Sequence, residues 1–302
     1  MEGISETEIG PGLYSDIPSD TYFQLPGVSQ SQLKIMRDRS PFHLKYALDH
    51  PEAPEESDSM ALGSALHDAC LLPVVFADQY MTAGPCEGVT AKGAPCSNAG
   101  KDRFGGKWYC GTHSPKDKER DGGVVLSSKE HEQCMGMQAS VAADPSASLL
   151  LEYERKELTA IWRDEETGLL CRGRFDLLSD DGEVVADLKT CRSAARTDFE
   201  RSAFGYGYHL QSQHYLNGAR ALGLDAQIMA FIAVESVAPW AVCTYQVASE
   251  ALDAGQKELR LLMRQYAECA ENGAWPGYRS PTVLTLPGYA WKQIEERADD
   301  AE

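Results

Sequence analysis

The pattern of apolar and polar positions changes period several times along the chain. In VSQSQLKIMRDRSPFHLKYAL, residues 28–48, apolar residues recur at helical spacing, Ser29 stands where an N-cap belongs, and Pro41 opens a second short helix. A polar acidic stretch, HPEAPEESDS at 50–59, interrupts the pattern as a linker. SMALGSALHDACLL then predicts a helix ended by Pro73. Helical spacing returns at SSKEHEQCMGMQASVAAD, with Ser127 or Ser128 as the cap. Three strands follow at ERKELTAIWRD, LLCRGRFDLLS and EVVADLKT, then a helical stretch around YGYHLQSQHYLNGARALG, then strands at QIMAFIAVES and AVCTYQVA. SEALDAGQKELRLLMRQYAECAEN reads as a long helix with a polar face. Helices first, then a hairpin-led sheet with a helix crossing between strands, predict an α/β or α+β core without internal repeats. The Gly-, Pro-, Ser- and acid-rich residues 1–20 are expected to form a disordered lead-in, and the charged residues 293–302 a frayed tail.

Composition adds little to this outline, but charge does. At 302 residues the chain has room for a substantial core, and no apolar run approaches the roughly 18 residues of a membrane span. The acidic opening MEGISETEIGPG lacks an apolar signal core, so a cytoplasmic protein is expected. Nine cysteines, most of them scattered singly (Cys70, Cys134, Cys171, Cys243, Cys269), read as reduced thiols. The net charge of -18 argues against a protein that grips nucleic acid over its whole surface. It leaves room for a local basic channel, and for a non-enzymatic acidic mimic of DNA.

The candidate chemistry concentrates in GRFDLLSDDGEVVADLKT, residues 173–190. Asp181-Gly182 predicts a two-residue turn. Asp180 then faces Glu183, Leu178 faces Val185, and Asp176 faces Asp187. Lys189 and Arg174 share the face of the two aspartates, while Phe175, Leu177, Val184, Ala186 and Leu188 take the other. Two opposed carboxylates repel unless one is protonated or a cation sits between them, and such oxygen pairs suit Mg²⁺ or Mn²⁺. The alternative is a half-exposed hairpin whose aspartates face solvent.

RFD, ten residues, then DLK resembles the Asp … Asp-X-Lys signature of the PD-(D/E)XK nuclease superfamily. Gly63-Ser-Ala-Leu-His67 resembles the GxxxH helix of its RecE-like (exodeoxyribonuclease VIII-type) phage and prophage exonucleases, and Gln211-Ser-Gln-His-Tyr215 resembles their QxxxY helix. Glu157 falls at that group's acidic strand position, and the resemblance runs over most of residues 20–292. It implies a PD-(D/E)XK core with a mixed central sheet flanked by helices over residues 21–292. It further implies Mg²⁺ or Mn²⁺ held by His67, Asp176, Asp187 and the backbone carbonyl of Leu188. Lys189 would assist the attacking water, Gln211 and Tyr215 would position phosphate, and Glu157 joins the catalytic candidates. The implied activity is an exonuclease on linear double-stranded DNA that leaves single strands for recombination. A homo-oligomer, a RecT-like single-strand annealing partner and a phage or prophage origin in a bacterial host come with it. A structure-specific endonuclease of the same superfamily is the competing enzyme reading. Arg172 and Arg174 are candidate phosphate contacts or solvent-facing strand charges, and His209 and His214 are expected at the surface.

One stretch breaks the pattern. Between about 84 and 122, glycine, lysine and cysteine replace apolar periodicity, as in an inserted module stabilised by something other than a core. Cys86, Cys96, Cys110 and His113 form a Cys₃His set suited to structural Zn²⁺. A flexible loop with incidental cysteines, a disulfide and an iron–sulfur site are the other readings. Lys92, Lys101, Arg103, Lys107 and Trp108 also make the module a local basic, aromatic patch that fits either a DNA contact or a purely structural flap.

Overall fold

A computed structural model describes residues 9–15, 17–51, 58–278, 280 and 282–299. In chain order its elements are β1 (Gly12–Tyr14), α1 (Ser19–Gln24), α2 (Gln30–Asp38), α3 (Pro41–Asp49), α4 (Asp58–Leu71), α5 (Pro73–Gln79) and β2 (Tyr80–Thr82). After these come β3 (Asp102–Phe104), β4 (Lys107–Tyr109), β5 (Val124–Leu126), α6 (Ser128–Ala143) and α7 (Pro145–Leu151). The last group is β6 (Arg155–Arg163), β7 (Leu170–Leu178), β8 (Val184–Cys191), α8 (Arg196–Tyr206), α9 (Tyr208–Ala221), β9 (Ile228–Glu235), β10 (Val242–Gln246), α10 (Ser249–Asn272) and α11 (Gly288–Asp299). Local chemistry sets several boundaries. Ser29 and Ser127 each close a capping box, with Gln32 and Glu130 reaching back to the cap N–H, and Pro41 sits at the start of α3 behind the Ser40 cap.

Six strands form one mixed sheet in the order β1-β6-β7-β8-β9-β10. Only β8 and β9 run parallel, and α8 and α9 make the crossover that a parallel pair requires. Each face of the sheet carries its own core. Leu33 of α2, Leu44 of α3, Leu210 and Leu216 of α9 and Leu259 of α10 pack with Phe175, Val185 and Phe231. Leu66 of α4 and Met137 and Val141 of α6 pack with Leu177, Ala186, Leu188 and Ile232 on the other side. The fold is therefore a mixed sheet between two helical layers, as expected.

The two chain ends depart from expectation. Residues 12–14, placed within a disordered lead-in, instead pair antiparallel with β6 and cover its free edge. Arg174 and Arg172 hold the segment that follows by donating to the carbonyls of Ile17 (2.6 Å) and Phe23 (3.2 Å). Residues 1–8 lie outside the described residues. At the other end, α11 continues to Asp299 where fraying was expected, and 300–302 lie outside the described residues. So do 52–57 of the acidic linker.

The β7–β8 hairpin keeps the expected register, Leu178 opposite Val185 and Leu177 opposite Ala186, but not the expected turn. The N–H of Ser179 bonds to the Val184 carbonyl, and that of Gly182 to the Ser179 carbonyl, so the loop is the four residues 180–183. Gly182 alone adopts positive φ, whereas a two-residue type I′ turn would need it at Asp181 as well. Asp181 instead accepts hydrogen bonds from Ser179 Oγ and the Glu183 N–H, which a four-residue loop allows.

Candidate active site

Beyond Leu177 the β7–β8 ladder stops, so Asp176 and Asp187 do not form the directly opposed pair that the register predicts. Asp176 Oδ2 instead accepts the Leu188 N–H at 2.8 Å, which places a side chain where a backbone carbonyl would serve. The alternation of β7 shifts at this point: Phe175 and Leu178 enter one core and Leu177 the other. Phe175 and Leu177 thus lie on opposite faces, contrary to the strict alternation of the sequence reading. Across the β6–β7 ladder, paired Leu158–Phe175 and Lys156–Leu177 flank Glu157, which has φ of 50°. Left-handed backbone at a non-glycine residue costs about 1–3 kcal/mol and persists where surrounding structure imposes it. Here it accompanies the inversion that opens a gap between β7 and β8.

Four groups meet in that gap. His67, carried by α4, places Nδ1 3.5 Å from Asp176 Oδ2 and 3.6 Å from Glu157 Oε1, while its Nε2 lies 2.7 Å from the Leu188 carbonyl oxygen. A Cβ added at Gly63, one turn earlier, would meet Thr190 Oγ1 of β8 at ordinary van der Waals distance, so α4 approaches β8 closely here but has room for a small side chain. On the α9 side of β8, Lys189 Nζ lies 2.9 Å and 2.7 Å from Asp187 Oδ1 and Oδ2, and Gln211 donates its amide to Oδ1. Asp187 and Lys189 thus share a face as expected. Arg174 lies apart from them, bonded to Ile17 and Thr159 and 4.0 Å from Glu157.

The electrostatics follow from packing carboxylates into a dry gap. Burial and then the Asp187 charge push the Asp176 carboxyl well above the ordinary carboxylate range. Burial opposes a charge on His67, but Asp176, Glu157 and Asp187 outweigh it and raise its pKa to about 10. Lys189 is raised in the same way, Asp187 and Asp176 prevailing over burial. Asp187 Oδ2, though close to Nζ, is buried without a hydrogen bond. Buried carboxylates crowded together in this way are the environment a divalent cation neutralises. The donors of His67, Glu157 and Asp176 lie within 4.8 Å of one another, whereas the Leu188 carbonyl is taken by Nε2, the ring nitrogen other than the one beside the carboxylates. This N/O set is suited to a divalent cation. Asp187 stands beside the set, held by Lys189 and Gln211.

Other candidates have structural occupations. Tyr215 is buried against Gly173, where an added Cβ would come within 3.0 Å of its ring, and lies 5.1 Å from the Phe175 ring. His214, expected at the surface, is buried with Nε2 3.1 Å from the Arg172 carbonyl, and burial lowers its pKa to about 4. His209 is partly buried and paired with Glu258 at 2.7 Å. Arg172 and Arg174 lie 5.4 Å and 4.6 Å from the Tyr22 ring centroid and anchor the early segment described above. Tyr208, 5.0 Å from Lys189 Nζ, escaped the sequence reading because nothing in its spacing singles out a ring beside a cation.

The second cluster lies between β2 and β5, which pair in parallel and close the base of the insertion. Cys86 Sγ and Cys110 Sγ lie 3.5 Å and 3.3 Å from His113 Nδ1, and Cys96 Sγ lies 3.9 Å from Cys110 Sγ. Tetrahedral bonds of the usual zinc lengths put sulfurs about 3.8 Å apart and sulfur about 3.6 Å from nitrogen. The N–H groups of Gly88 and Cys110 donate to Cys86 Sγ at 3.3 Å and 3.2 Å, supporting thiolate charge. Burial opposes that charge at Cys110, but the His113 N–H, the Asn98 amide and the Thr112 N–H bring its thiol down to about 6. No disulfide links these cysteines.

A mixed sheet with a His, a Glu, two Asp and a Lys at the breach of its β7–β8 ladder defines a nuclease-like fold of the PD-(D/E)XK kind. The chain belongs to the family described as a PDDEXK-like domain of unknown function (DUF3799), whose model matches residues 29–281. A crystal structure of a protein from Eubacterium rectale described as a "putative exonuclease" shares the fold, with a TM-score of 0.60 at 15% identity over 91% of this chain and 96% of that one. The solved structure of SSO0001 reaches a TM-score of 0.26 at 16% identity over 44% of this chain and 69% of its own, a likeness that carries no argument. No curated protein matches the sequence. Among the described residues no helix is long and apolar enough to cross a membrane.

Proposed function

We propose that the protein is a metal-dependent DNA exonuclease that hydrolyses linear double-stranded DNA and leaves single strands for recombination. The observation that carries this reading is the apposition of the His67–Glu157–Asp176 set to the Lys189–Asp187–Gln211 group across one strand. A divalent cation bound by the first set would supply Lewis-acid stabilisation of the phosphate and a more acidic water. Lys189, held charged by Asp187 and Asp176, lies where it can orient that water or meet charge developing on the phosphate. Gln211 acts through Asp187, fixing the carboxylate that in turn aims Lys189. Tyr215 packs against Gly173 of β7, and its hydroxyl, hydrogen-bonded with Gln211, would help that amide position phosphate.

In the insertion, three thiols and one imidazole at tetrahedral spacing favour structural Zn²⁺ over the oxygen-seeking ions of the first site. A RecT-like annealing protein and a second copy of this chain are the partners this role would call for.

The test incubates purified protein with linear and covalently closed duplex DNA, in Mg²⁺, Mn²⁺ or chelator, beside Lys189→Ala. Metal-dependent loss of linear DNA alone is expected. Cutting closed circles equally well would replace the exonuclease with an endonuclease, and no metal-dependent cutting of either would refute nuclease function.

A further inference from the structure

Lys189 Nζ faces more than Asp187. It lies 5.0 Å from the centroid of the Tyr208 ring, and that ring stacks on Tyr206 at 5.8 Å with an interplanar angle of 27°. Lys34 Nζ, from α2, lies 5.7 Å from the Tyr206 centroid. Lys189, Tyr208, Tyr206 and Lys34 thus form a continuous file of cation, ring, ring and cation leading away from the candidate site. Exposure rises along it: Tyr208 is partly buried and Tyr206 is 59% exposed.

Core packing explains only the inner end. Tyr208 meets Phe199 and Phe231, whereas Tyr206 turns most of its surface to solvent. Ion pairing does not explain Lys34 either. Among the described residues it has no carboxylate at ion-pair distance; burial and then Arg37 lower its pKa, and the Asp38 charge offsets them only in part. Arg37 lies close by, donating to the Gly205 carbonyl at 2.9 Å and pairing with Asp38. In a chain of net charge -18, a lysine without an ion pair among the described residues, gathered beside a second cation and two rings, marks a place for a bound anion.

We propose that this file is a track for one unpaired strand of DNA leaving the active site, with a phosphate on Lys34 and a base stacked on Tyr206. The inference rests on the nuclease reading and deepens it. An aromatic face accepts any base, and a lysine meets any phosphate, so the track is indifferent to sequence. A paired base inside a duplex has both faces covered, so stacking on Tyr206 requires the nucleotide to be unpaired. The protein therefore binds frayed or single-stranded ends more tightly than blunt ones.

The test measures binding of a fluorescent single-stranded oligonucleotide carrying 2-aminopurine by the full chain, with Ca²⁺ in place of Mg²⁺ and the oligonucleotide verified intact. Tyr206→Ala is expected to weaken binding about tenfold and to abolish the quenching of 2-aminopurine, while Tyr206→Phe keeps both. Lys34→Gln is expected to weaken binding and to lower the salt slope by about 0.7, the share of one phosphate on a single strand, with Lys34→Arg restoring it. Unchanged melting temperatures show that the variants fold. Wild-type affinity and slope in both Tyr206→Ala and Lys34→Gln would overturn the track, as would failure of the wild type to bind the oligonucleotide. Binding of the expected kind by a protein that cuts no DNA in Mg²⁺ would uphold the track and refute the nuclease. Normal cutting with unaltered binding in both variants would do the reverse.

Discussion

The gap between β7 and β8 and the insertion between β2 and β5 both gather metal-binding side chains, by opposite means. In the gap the ligands ride on core elements: Leu177, Ala186 and Leu188 bury their side chains beside the very residues that present Asp176 and Asp187. Packing holds the carboxylates together against their repulsion, and the cost appears as the raised pKa values of Asp176 and His67. In the insertion no apolar cluster of comparable size exists among the described residues. There the backbone itself solvates thiolate through the Gly88 and Cys110 N–H groups, and the ion would replace the core. One site is a strained place in a stable structure. The other is the stabilising element of a structure that has little else.

Variants can break this contrast. Cys96→Ser or Cys110→Ser is expected to abolish stoichiometric zinc and leave 84–122 open to limited proteolysis, while the rest of the chain still melts cooperatively. Loss of the cooperative melt would show that the insertion is part of the core. At the gap, Lys189→Ala should lower cleavage of linear DNA by about 10²- to 10⁴-fold and, because it leaves the buried Asp187 without its cation, lower the melting temperature of the metal-free protein as well. A lower melting temperature together with retained cleavage would make Lys189 a structural residue.

Metal binding should then divide the two regions by pH. His67 must release its proton to bind a cation, and its pKa is raised to about 10. Mg²⁺ affinity is therefore expected to climb with pH up to about 10, by as much as roughly tenfold per unit, and His67→Gln should flatten the climb. Calorimetric titration from pH 6.5 to 9 would measure it, and a flat profile in the wild type would place His67 outside the metal shell. The carboxylate crowding makes a further, smaller effect measurable. Asp176→Asn should raise the stability of the metal-free protein by about 1 kcal/mol while removing stabilisation by Mg²⁺. A less stable metal-free variant would mean that the His67 contact outweighs the repulsion. Smallest is Gly88→Ala, whose Cβ would come within 2.4 Å of the His113 ring. It should weaken zinc retention against a competing chelator several-fold with no effect on the core.

Much of this was legible in the chain. The strands, their hairpin register and the Ser29 and Ser127 caps follow from local chemistry: period-two alternation, turn residues and reciprocal capping bonds. The Cys₃His group was legible because short ligand spacings within one module constrain geometry before any fold is known. The face of Asp176 was not, since alternation assumes an unbroken ladder and the left-handed Glu157 lies on another strand. Nor was the fate of the arginines. Arg172 and Arg174 read equally well as phosphate contacts or as solvent-facing strand charges, whereas the early segment, 149 and 157 residues away in sequence, takes their hydrogen bonds.

By itself, then, the sequence determined the elements, the pairing of the hairpin and the types of side chain brought to each cluster, because these depend on neighbours a few residues apart. Only the tertiary structure decided which of those side chains share a site. It joined His67 to the Leu188 carbonyl, Gln211 to Asp187 and Lys34 to the rings beside Lys189. Contacts of that kind depend on how two helical layers close over one sheet, and no local period encodes how they meet.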